Sequence, residues 1–86
     1  MKKLSETQMD EIEAVKHYIR YVNSNPLVED FEIFDAILRL QVIGEKYILN
    51  GYEEKDMDSL LELEDMKDLM QKFLARLTKK LNIPND

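Results

Sequence analysis

The chain contains no cysteine, so a disulfide, a thiolate nucleophile and a Cys-ligated zinc site are all excluded. Two glycines and two prolines among 86 residues supply few of the turns that an all-β sandwich or barrel needs, and that class is excluded too. Gly44 and Gly51 stand apart, which leaves no Gly-rich phosphate loop. The single histidine, His17, cannot supply the two Glu-x-x-His motifs of a di-iron bundle site. A Ser-His-Asp nucleophile system would depend on this one residue, which falls on a polar helix face. No run approaches the roughly 18 uninterrupted apolar residues of a membrane span. Lys2 and Lys3 have no apolar run behind them, so a signal peptide is not expected and the expected location is intracellular, in the cytoplasm. The basic cluster Lys72, Arg76, Lys79 and Lys80 is small and adjoins acids, so direct nucleic-acid binding is not expected. A calcium loop starting at Asp56 fails because Leu61 stands at its sixth position and Lys67 at its twelfth. No cofactor is expected.

Apolar side chains are plentiful by contrast. Leu, Ile, Val and Phe make up 26 of the 86 residues, too many for a disordered chain and enough for one small domain. The periodicity is helical throughout. Ser5-Glu6-Thr7-Gln8 has the form of a capping box, with Leu4 and Met9 placed as a hydrophobic staple. Met9, Ile12, Val15, Ile19 and Val22 then recur on one face, opposite Glu13, Lys16, His17 and Arg20. Asn23-Ser24-Asn25-Pro26 ends this helix, because the residue before proline is driven out of the α region. A second helix is predicted over 27–50, with Asn50-Gly51 supplying a left-handed terminus. A third is predicted over 55–81, capped by Asp56 or Asp58. Its Leu63, Met66, Met70, Phe73 and Leu77 make a short heptad-like seam, flanked by Leu69, Leu74 and Leu81. The predicted fold is all-α: one domain, 1–86, forming a compact antiparallel three-helix bundle with a frayed tail at 82–86. A break near 62–65 would make it four helices.

The second helix is the unusual one. Glu32, Asp35, Arg39 and Lys46 form a narrow polar stripe, and nearly everything else is apolar, an arc of about 260° at 100° per residue. Such a helix is expected to be central and buried on three sides. Two neighbours in a three-helix bundle cover roughly half a circumference, so a surplus remains for a fourth helix, a second copy of the chain or a partner. Ile33, Leu40, Ile43, Gly44 and Tyr47 are the residues expected to form that apolar interface, Gly44 by admitting a close backbone approach.

Charge is equally uneven. Eighteen acids and twelve bases give −6, and residues 53–68 alone carry eight acids against two bases. Acids early in a helix and bases late complement its dipole. The sharper expectation is a recognition face, Glu53, Glu54, Asp58, Glu64, Asp65 and Asp68, for a protein partner with a basic surface. The chain is thus expected to act as a small acidic interaction module, regulatory or inhibitory and homodimeric, rather than as an enzyme. Immunity proteins, phage-encoded inhibitors and secretion chaperones are similar in size, acidity and helical content.

Glu29-x-x-Glu32 and Glu62-x-x-Asp65 give an alternative. Each motif puts two carboxylates one helical turn apart, where they could share Mg²⁺. The arrangement resembles the Glu-x-x-Glu and Glu-x-x-Asp signature of the all-α nucleoside triphosphate pyrophosphohydrolases. That resemblance covers four residues, with Glu64 where the family typically has glycine and a gap between the motifs slightly wider than usual. It implies metal-dependent nucleotide hydrolysis.

Overall fold

The computed structural model describes residues 3–51 and 62–81. Three helices make the bundle: α1 (Glu6–Ser24), α2 (Asp30–Ile43) and α3 (Leu63–Lys80), with a π-helical segment, Gly44–Ile48, continuing α2. Each of the three packs on the other two.

The capping box forms at the start of α1. The Gln8 amide donates to Ser5 Oγ at 3.2 Å, and the Ser5 amide donates to Gln8 Oε1 at 2.8 Å, so two donors without helical partners are satisfied reciprocally. Ile12, Val15, Ile19 and Val22 are buried as the spacing predicts, joined by Leu4. Met9 instead stays exposed. Extended backbone at Asn25 ends the helix before Pro26.

The second helix starts at Asp30, later than predicted, because its N-terminus is organised around Glu29. The Glu29 amide donates to the Glu32 carboxylate at 3.0 Å, which leaves Leu27 and Val28 outside the helix. At the other end Asn50 Nδ2 donates to the Lys46 carbonyl at 2.6 Å, and Gly51 takes φ 85°. The side-chain amide thus satisfies a carbonyl at the helix terminus, and glycine adopts the left-handed conformation without a Cβ penalty.

Burial within α2 corrects the expectation of a helix buried on three sides. Ile33, Ala36, Ile43 and Tyr47 face the core, whereas Phe31 (70 % exposed), Phe34, Leu38 and Val42 face outward. Both sets follow three- and four-residue spacings, so the apolar arc consists of two seams. The inner one is buried against α1 and α3, and the outer one stays at least half exposed.

The third helix begins at Leu63, after extended backbone at Glu62 (φ −80°, ψ 132°), later than the predicted start at 55. The proposed caps Asp56 and Asp58 lie outside the described residues. The heptad-like seam is only partly internal. Leu69 is the one fully buried residue of α3, Met66 and Phe73 pack at the core edge, and Leu63, Met70, Leu74, Leu77 and Leu81 are exposed. The helix is rolled away from its apolar stripe, and the polar contacts described next account for the roll.

Candidate interaction surface

Asp65, Leu69, Lys72 and Arg76 follow a 4-3-4 spacing and share the face of α3 that meets α1 and the α1–α2 turn. Arg20, on α1, donates from Nε to Asp65 Oδ2 at 2.9 Å and from Nη2 to Glu62 Oε1 at 2.8 Å. Asn23 Nδ2 donates to the Asp65 carbonyl at 2.9 Å. Lys72 Nζ donates to the carbonyls of Val22 (2.8 Å) and Asn25 (2.7 Å), which satisfies the C-terminal end of α1. Desolvation, reinforced by the nearby Arg76 charge, holds the Lys72 ammonium below the ordinary lysine range. Arg76 reaches Asp30 Oδ1 at 2.8 Å and the Pro26 carbonyl at 3.2 Å. Its guanidinium, followed by Lys80, holds the Asp30 carboxyl below the usual aspartate range. This seam is a polar clamp in which Asn23 Oδ1 is left as a buried acceptor without a hydrogen-bond partner among the described residues.

The clamp decides the fate of the acidic segment. Asp65 is tied down by Arg20 and is not a free recognition group, so that assignment is corrected. Glu64 and Asp68 are exposed on α3. Glu53, Glu54 and Asp58 lie outside the described residues. The clamp also uses half of the four-carboxylate set. Glu62 and Asp65 both ion-pair with Arg20, and Glu32 accepts from the Glu29 amide at the start of α2. Among the described residues, no group of three or more His, Asp or Glu side chains is placed to hold one metal ion. His17 is exposed and meets Glu13 at 3.4 Å.

A second polar network ties the far end of α2 to α1. Tyr47 is fully buried, and its hydroxyl donates to Glu11 Oε2 at 2.6 Å; Lys46 Nζ reaches the same carboxylate at 3.0 Å. The Tyr47 hydroxyl and then the Lys46 ammonium hold the Glu11 carboxyl below its ordinary range. Burial, followed by the Glu11 carboxylate, raises the Tyr47 hydroxyl.

The apolar interface expected on the second helix needs correcting for the same geometric reason. Ile33, Ile43 and Tyr47 are inner-seam residues, each no more than 2 % exposed, and Leu40 packs against them. Gly44 has open space around it, with no described residue beyond its own helix within 4 Å of where a Cβ would stand. The surface that is open is the outer seam, Phe31, Phe34, Leu38 and Val42.

That seam lies between two grooves. At its N-terminal end, Phe31 and Phe34 open onto α3, where Phe34 meets Phe73 edge-on at 5.0 Å and Leu77 completes a groove of about 230 Å³ rimmed by Arg76 and Lys80. At its C-terminal end, Leu38 and Val42 border a groove against Ala14 and Tyr18 of α1, rimmed by Asp35 and Arg39. Asp35 and Arg39 pair with each other at 2.8 Å, and the Arg39 guanidinium lies 5.3 Å from the Tyr18 ring centre. The outer seam with Phe73 and Leu77 presents on the order of 500 Å² of apolar surface, at the upper end of what a monomer of ordinary composition exposes in one patch. Spacing alone makes this seam legible, since 31, 34, 38 and 42 recur as regularly as the inner set. What spacing does not say is which seam turns inward.

Among the described residues no helix is long and apolar enough to cross a membrane. Comparison with protein-family models, with curated protein sequences and with solved structures gives no match to this chain.

Proposed function

We propose that this chain is a small acidic protein–protein interaction module of the cell interior, regulatory or inhibitory in role, and that it acts by binding rather than by catalysis. The observation that carries this reading is the outer seam of α2: four large apolar side chains at helical spacing, all at least half exposed. Such a face costs free energy in water and is the recognised means by which one helix docks on another. Flanking grooves against α1 and α3 give it the relief that a flat apolar stripe lacks. Homodimerisation belongs to the same reading.

The acidic end contributes through Glu64 and Asp68, together with the sequence run 53–58, by steering a partner with a basic surface. Charged rims of this kind act on association rate and salt dependence more than on affinity. Glu62 and Asp65 have a different role, holding α3 to Arg20.

Two variants test the reading. Tagged wild-type chain and Leu38→Glu are expressed side by side, and the complexes each retains are compared at low and high salt. Complexes formed by wild type and lost in Leu38→Glu, with retention in Glu64→Lys/Asp68→Lys no longer sensitive to salt, would bear it out. Identical behaviour of wild type and Leu38→Glu, with both folded, would refute it.

A further inference from the structure

We propose that the outer face of α2 is a two-fold, antiparallel interface between two copies of this chain, in which Phe31 of each copy lies against Val42 of the other and Phe34 against Leu38. The inference rests on reading that face as an interface, and it names the occupant.

Side-chain size is the first argument. Along the seam the bulky residues come first and the smaller ones last: Phe31, Phe34, Leu38, Val42. A parallel pair would set Phe on Phe at one end and Val on Val at the other. The helices would then splay, and a gap would open at the thin end. Interiors tolerate neither voids nor uneven spacing, because lost contacts are not recovered. Reversing one copy sets large against small at every level and keeps the two axes parallel at the separation of about 8–10 Å that helix packing prefers.

Charge gives an independent argument for the same register. The midpoint of the seam falls between positions 36 and 37, and that of the Asp35–Arg39 ion pair falls at 37. A two-fold axis perpendicular to both helices preserves the rim on which a residue lies. It therefore brings Asp35 of each copy beside Arg39 of the other, whereas a parallel pair would put the two copies of this rim on opposite sides of the contact, where the charges do not meet. Asp35 and Arg39 are about half exposed, and they already meet each other at 2.8 Å within one helix. Pairing joins the two ion pairs into a four-charge ring without placing any unpaired charge against the apolar centre.

Area is of the right order as well. The seam with Phe73 and Leu77 offers on the order of 500 Å², and the rims of the two grooves bring each copy toward the roughly 800 Å² per partner of a stable interface. A self-complementary patch closes on itself, so the assembly stops at two. The excess acidity of the chain is carried by residues 53–68 rather than by this face, so repulsion between copies is not concentrated at the contact.

The absence of native cysteine permits a direct test by disulfide trapping. Phe31 and Val42 are exposed, so Phe31→Cys and Val42→Cys are expected to fold with wild-type helicity and melting behaviour, which circular dichroism checks. In the antiparallel register position 31 of one copy faces position 42 of the other, within disulfide reach, whereas the two copies of position 31 are about 16 Å apart along the helix axis. Mild oxidation of the mixed variants is expected to give a heterodimer containing one chain of each kind, with little or no covalent dimer from either variant alone. Self-linking of Phe31→Cys would overturn the register in favour of a parallel pair. Failure of every combination to link, with wild-type chain sedimenting as a monomer at about 100 µM, would overturn the second copy as occupant. Loss of captured complexes in Leu38→Glu would then still separate failure of this pairing from failure of the broader reading.

Discussion

The seam between α1 and α3 and the outer face of α2 are opposite solutions to covering a helix. In the first, Arg20, Lys72 and Arg76 each find a carboxylate or a backbone carbonyl within 3 Å, and Asp65 accepts from the Arg20 guanidinium. In the second, residues that would ordinarily make core are left in water. The two are linked through the orientation of α3. Its polar side satisfies the carbonyls that end α1 and the turn toward α2, so its own apolar stripe rolls off the core and leaves the outer face of α2 uncovered. Open backbone carbonyls carry a larger penalty than exposed methyl groups, because a buried unsatisfied polar group costs about 1–3 kcal/mol and a partly exposed Leu less. Satisfying the chain turn therefore outranks burying the second seam.

The comparison breaks most visibly along α2 itself. Ile33→Ala, on the inner seam, is expected to destabilise by about 2–5 kcal/mol. Leu38→Ala, on the outer seam, is expected to change the stability of dilute chain by less than about 0.5 kcal/mol. Urea denaturation of both variants measures the difference, and equal losses would mean that both seams are core. Next comes Lys72→Met, which keeps the aliphatic stem but leaves the carbonyls of Val22 and Asn25 without their donor. A loss of about 1–3 kcal/mol is expected in the same assay, with the last turn of α1 gaining fast amide exchange.

Tyr47→Phe keeps the buried ring and removes only the hydrogen bond to Glu11, with an expected cost of about 1 kcal/mol. The Glu11 carboxyl is held below its unfolded value of 4.5. Its stabilisation is therefore complete above that value and is lost as pH falls through the folded one. Tyr47→Phe should flatten this acid limb and move the Glu11 titration, followed by carboxyl NMR, toward the ordinary range. The Tyr47 hydroxyl is raised, so its stabilisation holds below 10.0 and is lost as pH rises through the folded value, an alkaline limb that the same variant removes. The smallest effect sharpens the outer face. Asp35→Arg is expected to weaken self-association several-fold by like-charge contact with Arg39, and Asp35→Arg/Arg39→Asp to restore it. Sedimentation velocity reads both, and a double variant no better than the single one would remove the charge argument.

Much of this architecture is legible in local signals. The capping box at Ser5, the stop before Pro26, the left-handed Gly51 and the α1 core Ile12, Val15, Ile19 and Val22 depend only on near neighbours in sequence. What is not legible is the partition of α2, because 33, 36, 40, 43 and 47 and 31, 34, 38 and 42 are equally good helical seams. The choice is made by α1 and α3, not by α2. The roll of α3 is similarly hidden. An apolar pattern advertises Leu63, Met70 and Leu77, whereas the Asp65-Leu69-Lys72-Arg76 face gains its value from carbonyls some 45 residues away. For the candidate surface, surplus apolarity on the second helix was readable, and its location on the outer seam was not.

The central claim is that the outer face of α2 is an interface. Sedimentation equilibrium of wild type and Leu38→Glu across about 1–100 µM tests it most directly. The account predicts that wild type approaches twice its 10.2 kDa chain mass at the upper end, while Leu38→Glu remains at the chain mass with its helicity intact. Wild type staying at the chain mass throughout, or Leu38→Glu associating as strongly as wild type, would contradict it.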